Sequence, residues 1–393
     1  MDDNGRQQLP PSRMMVTTAL GVSQTLAWAS SYYLPAILAA PISKDLGLPR
    51  AWFFAAFSAS LLIAACVGPA VGRLIDRRGG RGVLVASNIV LAAGLVLLAG
   101  ASGAVMLFVA WAVLGIGMAM GLYDAGFAAL TALYGRDARG PITGVTLFAG
   151  FASTVSWPLT AFMNDALGWR EACLIWAALN LVLGLPLNRL MLPRVERPLH
   201  VTHAADVRVG WKPYREMLLL AFVFAAGWFV TGAMAAHMPG LLERAGASPV
   251  EAVAAAALIG PAQVAARLAE FAILRRVHPL ASARIAASLH PIGVGLFALT
   301  GVPGAALFVI LYGAGNGLLT IARGTVPLAL FGPHGYGERT GLLGAPARAA
   351  QAFAPLLFGL LLDAIGMSAL IVSAGLCLAA LGALLCLRAK AEE

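Results

Sequence analysis

The sequence predicts an all-α membrane protein, with twelve transmembrane helices in two pseudo-symmetric six-helix bundles. Three observations carry this. The chain of 393 residues is 60% hydrophobic and only 11% charged, whereas a soluble domain carries about 25% charged residues. Its apolar residues gather into runs long enough to cross a bilayer, which takes about 20 residues. A single long polar stretch, 193–215, then divides those runs into two sets of six.

In chain order the predicted spans are 14–40, 52–73, 83–101, 104–134, 142–165 and 171–191, then 216–242, 251–274, 283–301, 304–331, 341–362 and 368–387. They assemble into a bundle over 14–192 and a second over 216–387. Flanking them are a tail at 1–13, the linker 193–215 and a tail at 388–393. Arg6 and Arg13 precede the first run as in a signal peptide, but the run is too long and no small-residue cleavage site follows. It is read as the first retained span. Most Lys and Arg residues fall on one side of this layout. Lys44, Arg50, Arg170 and Arg244 lie on the other side, and Arg267, Arg323 and Arg348 lie within spans. Basic loops face the cytoplasm, so both termini are expected there, in a cell inner (cytoplasmic) membrane.

The halves also match each other. Tyr33-Leu34-Pro35 corresponds to His237-Met238-Pro239, Thr143-Gly144 and Pro158 to Thr340-Gly341 and Pro355, and Tyr134-Gly135 to Phe331-Gly332. Gly68-Pro69-Ala70 with Asp76 is echoed by Gly260-Pro261-Ala262 with Glu270. Internal duplication is a hallmark of carriers whose site lies between repeats.

Between spans two and three runs Gly72-Arg73-Leu74-Ile75-Asp76-Arg77-Arg78-Gly79-Gly80-Arg81. So short a turn forces the flanking spans antiparallel. Its pattern, at Gly72, Asp76, Arg77, Gly79 and Arg81, resembles the corresponding loop of the major facilitator superfamily. The resemblance implies a gate latch in which the Asp pairs across the two halves or caps a helix. Gly260-Pro261-Ala262-Gln263-Val264-Ala265-Ala266-Arg267 resembles span eight of the monocarboxylate and oxalate–formate carriers within that superfamily. So do Ser31–Pro35, Leu48–Ser58 and Gly168-Trp169-Arg170 at other spans. That subgroup implies an arginine holding a substrate carboxylate. The chain departs from its pattern with Gln263 in place of an Asp, and with Ala36 where a Lys often stands.

A charge inside a membrane is costly and asks for a function. Asp124 is the carboxylate expected well inside a span, and Arg267, Arg323 and Arg348 are the internal cations. Gln263 and Arg267, four apart, share a helical face. A guanidinium fork suits a carboxylate through two parallel hydrogen bonds. Arg267 and Arg323 are therefore candidate substrate ligands, with Tyr32, Tyr33, Gln263, His237, Asn316 and Gln351 beside them on cavity-lining spans. Asp124 is the candidate proton-coupling residue. Arg267 also reads as a repeat copy of the gate arginine Arg73, and the internal charges as structural pairs. His237 is read as the one histidine inside a span.

The +9 net charge does not point to nucleic acid, because the basic residues sit in short loops and form no amphipathic face. Cys66, Cys173, Cys377 and Cys386 lie singly in apolar runs, so neither disulfide nor metal site is expected. His200 and His203 read as a solvated loop. No cofactor is expected, and the absence of catalytic or nucleotide-binding motifs speaks against an enzyme or ATP-driven pump. The reading is a monomeric secondary transporter in the lipid bilayer. Its cargo is a small organic anion of monocarboxylate type, coupled to protons. The alternative is an exporter of an uncharged or cationic toxic compound.

Overall fold

A computed structural model describes residues 12–194 and 211–388. Most of the tails and of the linker, His200 and His203 included, lie outside the described residues. Within them the chain is helical, with no strand. The first half comprises α1 (Arg13–Ala29), α2 (Pro35–Asp45), α3 (Arg50–Arg78), α4 (Gly80–Ala99), α5 (Ala104–Gly121), α6 (Tyr123–Tyr134), α7 (Arg139–Ala149), α8 (Ala152–Leu167) and α9 (Trp169–Leu179). The second comprises α10 (Trp211–Arg244), α11 (Pro249–Ala256), α12 (Ile259–Ala272), α13 (Pro279–Thr300), α14 (Ala305–Phe331), α15 (Tyr336–Ile365) and α16 (Ala369–Leu385).

Nine helical segments among the described residues are long and apolar enough to cross a membrane. Two of them, Ala104–Leu167 at 64 residues and Tyr336–Leu385 at 50, far exceed the ~20 residues of one crossing.

Several predicted spans are not continuous. The run 14–40 is split between α1 and α2. There Ser30 and Ser31 turn their hydroxyls onto the carbonyls of Leu26 (2.8 Å) and Ala27 (2.6 Å), and Pro35 has no N–H to extend the ladder. The run 104–134 breaks at Leu122, which is extended (φ −88°, ψ −172°). Beyond α9 the chain winds more widely, as π-helix, over Asn180–Gly184 and Leu187–Met191. Eight residues of α-helix turn a side chain about 80° out of line. The wider winding brings Asn180 and Asn188 to the same side, where both meet Asn88 of α4.

The reversal after α3 depends on Gly79, whose φ of +79° suits glycine, so α4 starts at the next residue. In the first half one apolar cluster, including Leu20, Phe53, Trp111 and Trp176, fills the interior. In the second half the interior is two clusters, one around Met234, Phe308 and Phe358, the other around Phe224, Val326 and Leu384.

Candidate functional site

Two groups of side chains join the halves. The first is ionic and buried. Asp124 opens α6 immediately after the break at Leu122, where the free N–H end of a helix favours a carboxylate. Its Oδ2 accepts from Arg323 of α14 at 2.7 Å and from Arg348 of α15 in a second, closer contact. All three residues are at most 8% exposed. One carboxylate thus serves two guanidiniums from the opposite half. Arg348 reaches further, to the carbonyl of Ala64 in α3 at 3.4 Å. Gly344 leaves room for the group, since a Cβ there would lie 2.9 Å from Asp124 Oδ2.

This cluster borders a small cavity between the halves, lined also by Trp28, Tyr32, Tyr123, Trp228 and Gln351. The Arg323 guanidinium lies 4.6 Å from the Trp228 ring, a cation–π contact. Trp28 packs against Tyr123 at 4.9 Å and Tyr32 at 5.2 Å. Gln351 donates to the Tyr32 hydroxyl at 2.5 Å. At the break itself, Gln24 donates to the carbonyl of Gly121 at 2.5 Å.

Arg267 is 5% exposed and donates to the carbonyl of Thr146 at 3.2 Å, at the end of α7. Its guanidinium lies over Gly150, where a Cβ would collide with it. Among the described residues no carboxylate is within salt-bridge distance of Arg267, and its Nε has no hydrogen-bond partner.

The second group ties one end of the halves. The Asp76 carboxylate accepts the N–H groups of Gly337 and Glu338, each at 2.8 Å, and so caps α15. Gly72 and Gly337 touch backbone to backbone, and a Cβ on either would strike the other's carbonyl. Arg73 pairs with Glu338 at 3.1 Å. Arg77 is exposed and Arg81 half-buried. On the opposite side Glu270 of α12, 1% exposed, accepts from Arg139 at 3.1 Å and from Ser282 at 2.7 Å. Arg139 also donates to the carbonyls of Val277 (2.7 Å) and Leu274 (3.1 Å).

The structure therefore gathers Asp124, Arg323, Tyr32 and Gln351 at one cavity, with Tyr33 packed alongside through Trp28 at 5.9 Å. Gln263 is half-buried on α12, whose backbone there lies against Gly317. Two placements differ from expectation. His237 makes its contact with the Pro355 carbonyl of α15, 2.8 Å away. Asn316 faces Thr231 (3.0 Å) in a separate cavity within the second half.

Asp124 is not alone as a buried carboxylate, because Glu270 is buried too. Nor is His237 the one histidine in a span, because His290 lies within α13. Residue typing and apolar run length could have found His290, and could have placed Arg348 among the site residues. Tyr123 and Trp228 carried no signal beyond their aromatic type. Among the described residues no group of three or more His, Cys, Asp or Glu side chains could hold a metal ion.

Comparison with known proteins agrees with this architecture. The human organic anion transporter MFSD10 (TETRAN) superposes with a TM-score of 0.75 at 18% identity, over 95% of this chain and all of that one. The E. coli fucose:proton symporter FucP superposes with a TM-score of 0.72 at 14% identity, over 95% of this chain and 98% of that one. An uncharacterized 38 kDa protein in the 23S RNA operon of Thermoproteus tenax is 32% identical over 156 residues, 39% of this chain. The chain spans about 40% of that relative's length. The family model of the Major Facilitator Superfamily matches residues 20–322. This is a multi-pass membrane transporter, and the chain belongs to the Major Facilitator Superfamily.

Proposed function

We propose that the protein moves a small organic anion, of monocarboxylate type, by alternating access between its two halves. The observation that carries this reading is the surplus of buried positive charge. Arg323 and Arg348 share one carboxylate, Asp124, and Arg267 has none within salt-bridge distance among the described residues, while Glu270 is matched by Arg139. Unbalanced buried charge is costly, and an anionic cargo would relieve it. In this reading Arg267 and the Arg323–Arg348 pair bind the carboxylate. Protonation of Asp124 couples transport to protons by freeing the pair. The Gly72–Arg81 turn and α15 form the latch at the cytoplasmic end. Twelve crossings follow from counting the two long segments twice and α1–α2 once. The distribution of Lys and Arg supports cytoplasmic termini in an inner membrane, and the monomer is the proposed working unit.

The alternative is an exporter of an uncharged or cationic toxic compound; its cationic form needs Asp124 free as the counter-charge, yet two arginines already hold it. Thermal stabilisation of the purified protein tests the choice, because a ligand that binds the folded state raises the melting temperature. Acetate, lactate and pyruvate are expected to raise it for the parent but not for Arg267→Gln. Stabilisation by tetraphenylphosphonium instead, unchanged in Arg267→Gln, would transfer the assignment to a cation exporter.

A further inference from the structure

The predicted span 142–165 is interrupted near its middle, and Arg267 docks at the interruption. There α7 ends at Ala149 and α8 begins at Ala152. Gly150 still donates four residues back, to the Thr146 carbonyl at 2.9 Å. Phe151 donates only three back, to Phe148 at 3.1 Å, with φ −88° and ψ 2°. The Leu147 carbonyl thus loses the N–H that a continuous helix would give it. α7 therefore ends inside the protein with carbonyl groups to spare. Such an end carries about half an elementary charge, negative in sign.

Arg267 reaches this end from α12, in the other half. A Cβ on Gly150 would collide with its Nη1, and would lie 3.1 Å from the carbonyl oxygens of both Thr146 and Leu147. The guanidinium therefore fills the place of the absent side chain, against the carbonyl end of α7. Glycine is needed here for that close approach. The backbone angles of Gly150, φ −62° and ψ −27°, are open to any residue.

The buried cations are consequently balanced in two ways. Arg323 and Arg348 hold a full carboxylate charge, Asp124. Arg267 holds the partial charge of a helix end, and Gln263, four residues before it, supplies none. A partial charge retains a guanidinium only until a whole carboxylate competes for it. The arginine stem has several rotatable bonds, so the guanidinium can leave the carbonyl without moving α12. Its contact with Thr146 is also a tie between α12 and α7, beside that of Glu270 with Arg139.

We infer, on the basis of the anionic cargo proposed above, that Gly150 and the carbonyl end of α7 form a parking place for Arg267, which the cargo's carboxylate empties. When the carboxylate takes the guanidinium, α12 gives up its contact with Thr146. The α7–α12 seam then opens more readily with cargo aboard than without it. Gly150 is a positioning residue: it sets how firmly the empty carrier holds its arginine.

Gly150→Ala is the test, because its methyl displaces the tip of a flexible side chain. Calorimetry of the purified full-length protein is expected to show lactate binding about tenfold tighter, the scale of one hydrogen bond to a charged group. In the parent, lactate is expected to speed hydrogen–deuterium exchange in α7 and α12. In Gly150→Ala exchange there is already fast, and lactate adds nothing. Unchanged or weaker lactate binding by Gly150→Ala would overturn the proposal, as would unchanged or slowed exchange in the loaded parent. The parent measurement decides alone if Gly150→Ala does not fold. Arg267→Gln separates this proposal from the one beneath it. If it abolishes lactate binding while Gly150→Ala fails to tighten it, only the parking place is wrong. If it leaves binding intact, or if the parent binds no lactate, the anionic cargo falls and the parking place with it.

Discussion

The seam between α3 and α15 and the seam between α7 and α12 occupy corresponding places in the two halves, yet they are built differently. At the first, backbone meets backbone: Gly72 lies on Gly337, Gly68 and Pro69 on Gly341, and Asp76 caps α15 through two N–H groups. At the second, long side chains cross the gap, Arg139 to Glu270 and Arg267 to the Thr146 carbonyl. A backbone contact holds at one distance or not at all, whereas an arginine can follow a moving partner over several ångström. A repeated sequence has thus produced one rigid closure and one compliant closure.

Three substitutions would break or sharpen that contrast. Gly337→Val carries the largest expected effect, because its Cβ overlaps the Gly72 carbonyl and backbone cannot yield as a side chain does. A loss of about 3 kcal/mol or more, seen as a lowered melting temperature together with loss of transport, is expected. A parent-like melting curve would show that the first seam is not rigid. Glu270→Gln comes next. Breaking a fully buried pair costs ~3–5 kcal/mol, but Arg139 is 24% exposed and keeps two carbonyls, so about 2 kcal/mol is expected in thermal unfolding. Asp76→Asn is the mildest for stability. Its remaining oxygen still caps one N–H, so about 1 kcal/mol is lost. Flux in reconstituted vesicles nonetheless falls several-fold while folding stays intact. Normal flux from Asp76→Asn would remove the latch reading, and a cost equal to that of Glu270→Gln would erase the distinction between seams.

The sequence made the helices legible because hydrophobic length is a local property, and the Gly72–Arg81 motif because its glycines and charges sit within ten residues. Asp124 and Arg323 could each be singled out as expensive in a membrane. That Arg348 shares the same carboxylate could not, since the three residues come from three helices and only packing unites them. Glu270 looked like an echo of Asp76, but its partner Arg139 lies 131 positions away. Run length also hid the breaks at Ser30–Leu34 and Leu122, because hydroxyl back-bonding and an extended backbone leave hydropathy unchanged. His290 escaped notice because one imidazole among the alanines of α13 barely alters the pattern.

A rod passes rotation from end to end only while it is continuous. At Leu122 the rod is cut, so α5 can turn with its own half without imposing that turn in full on α6. Twelve residues long, α6 is bolted by Asp124 to two arginines of the other half. Under the alternating access proposed above, the cut would serve as a universal joint, letting the halves swing while the charged bolt stays aligned. Splinting it into one straight helix would make every swing pull on that bolt.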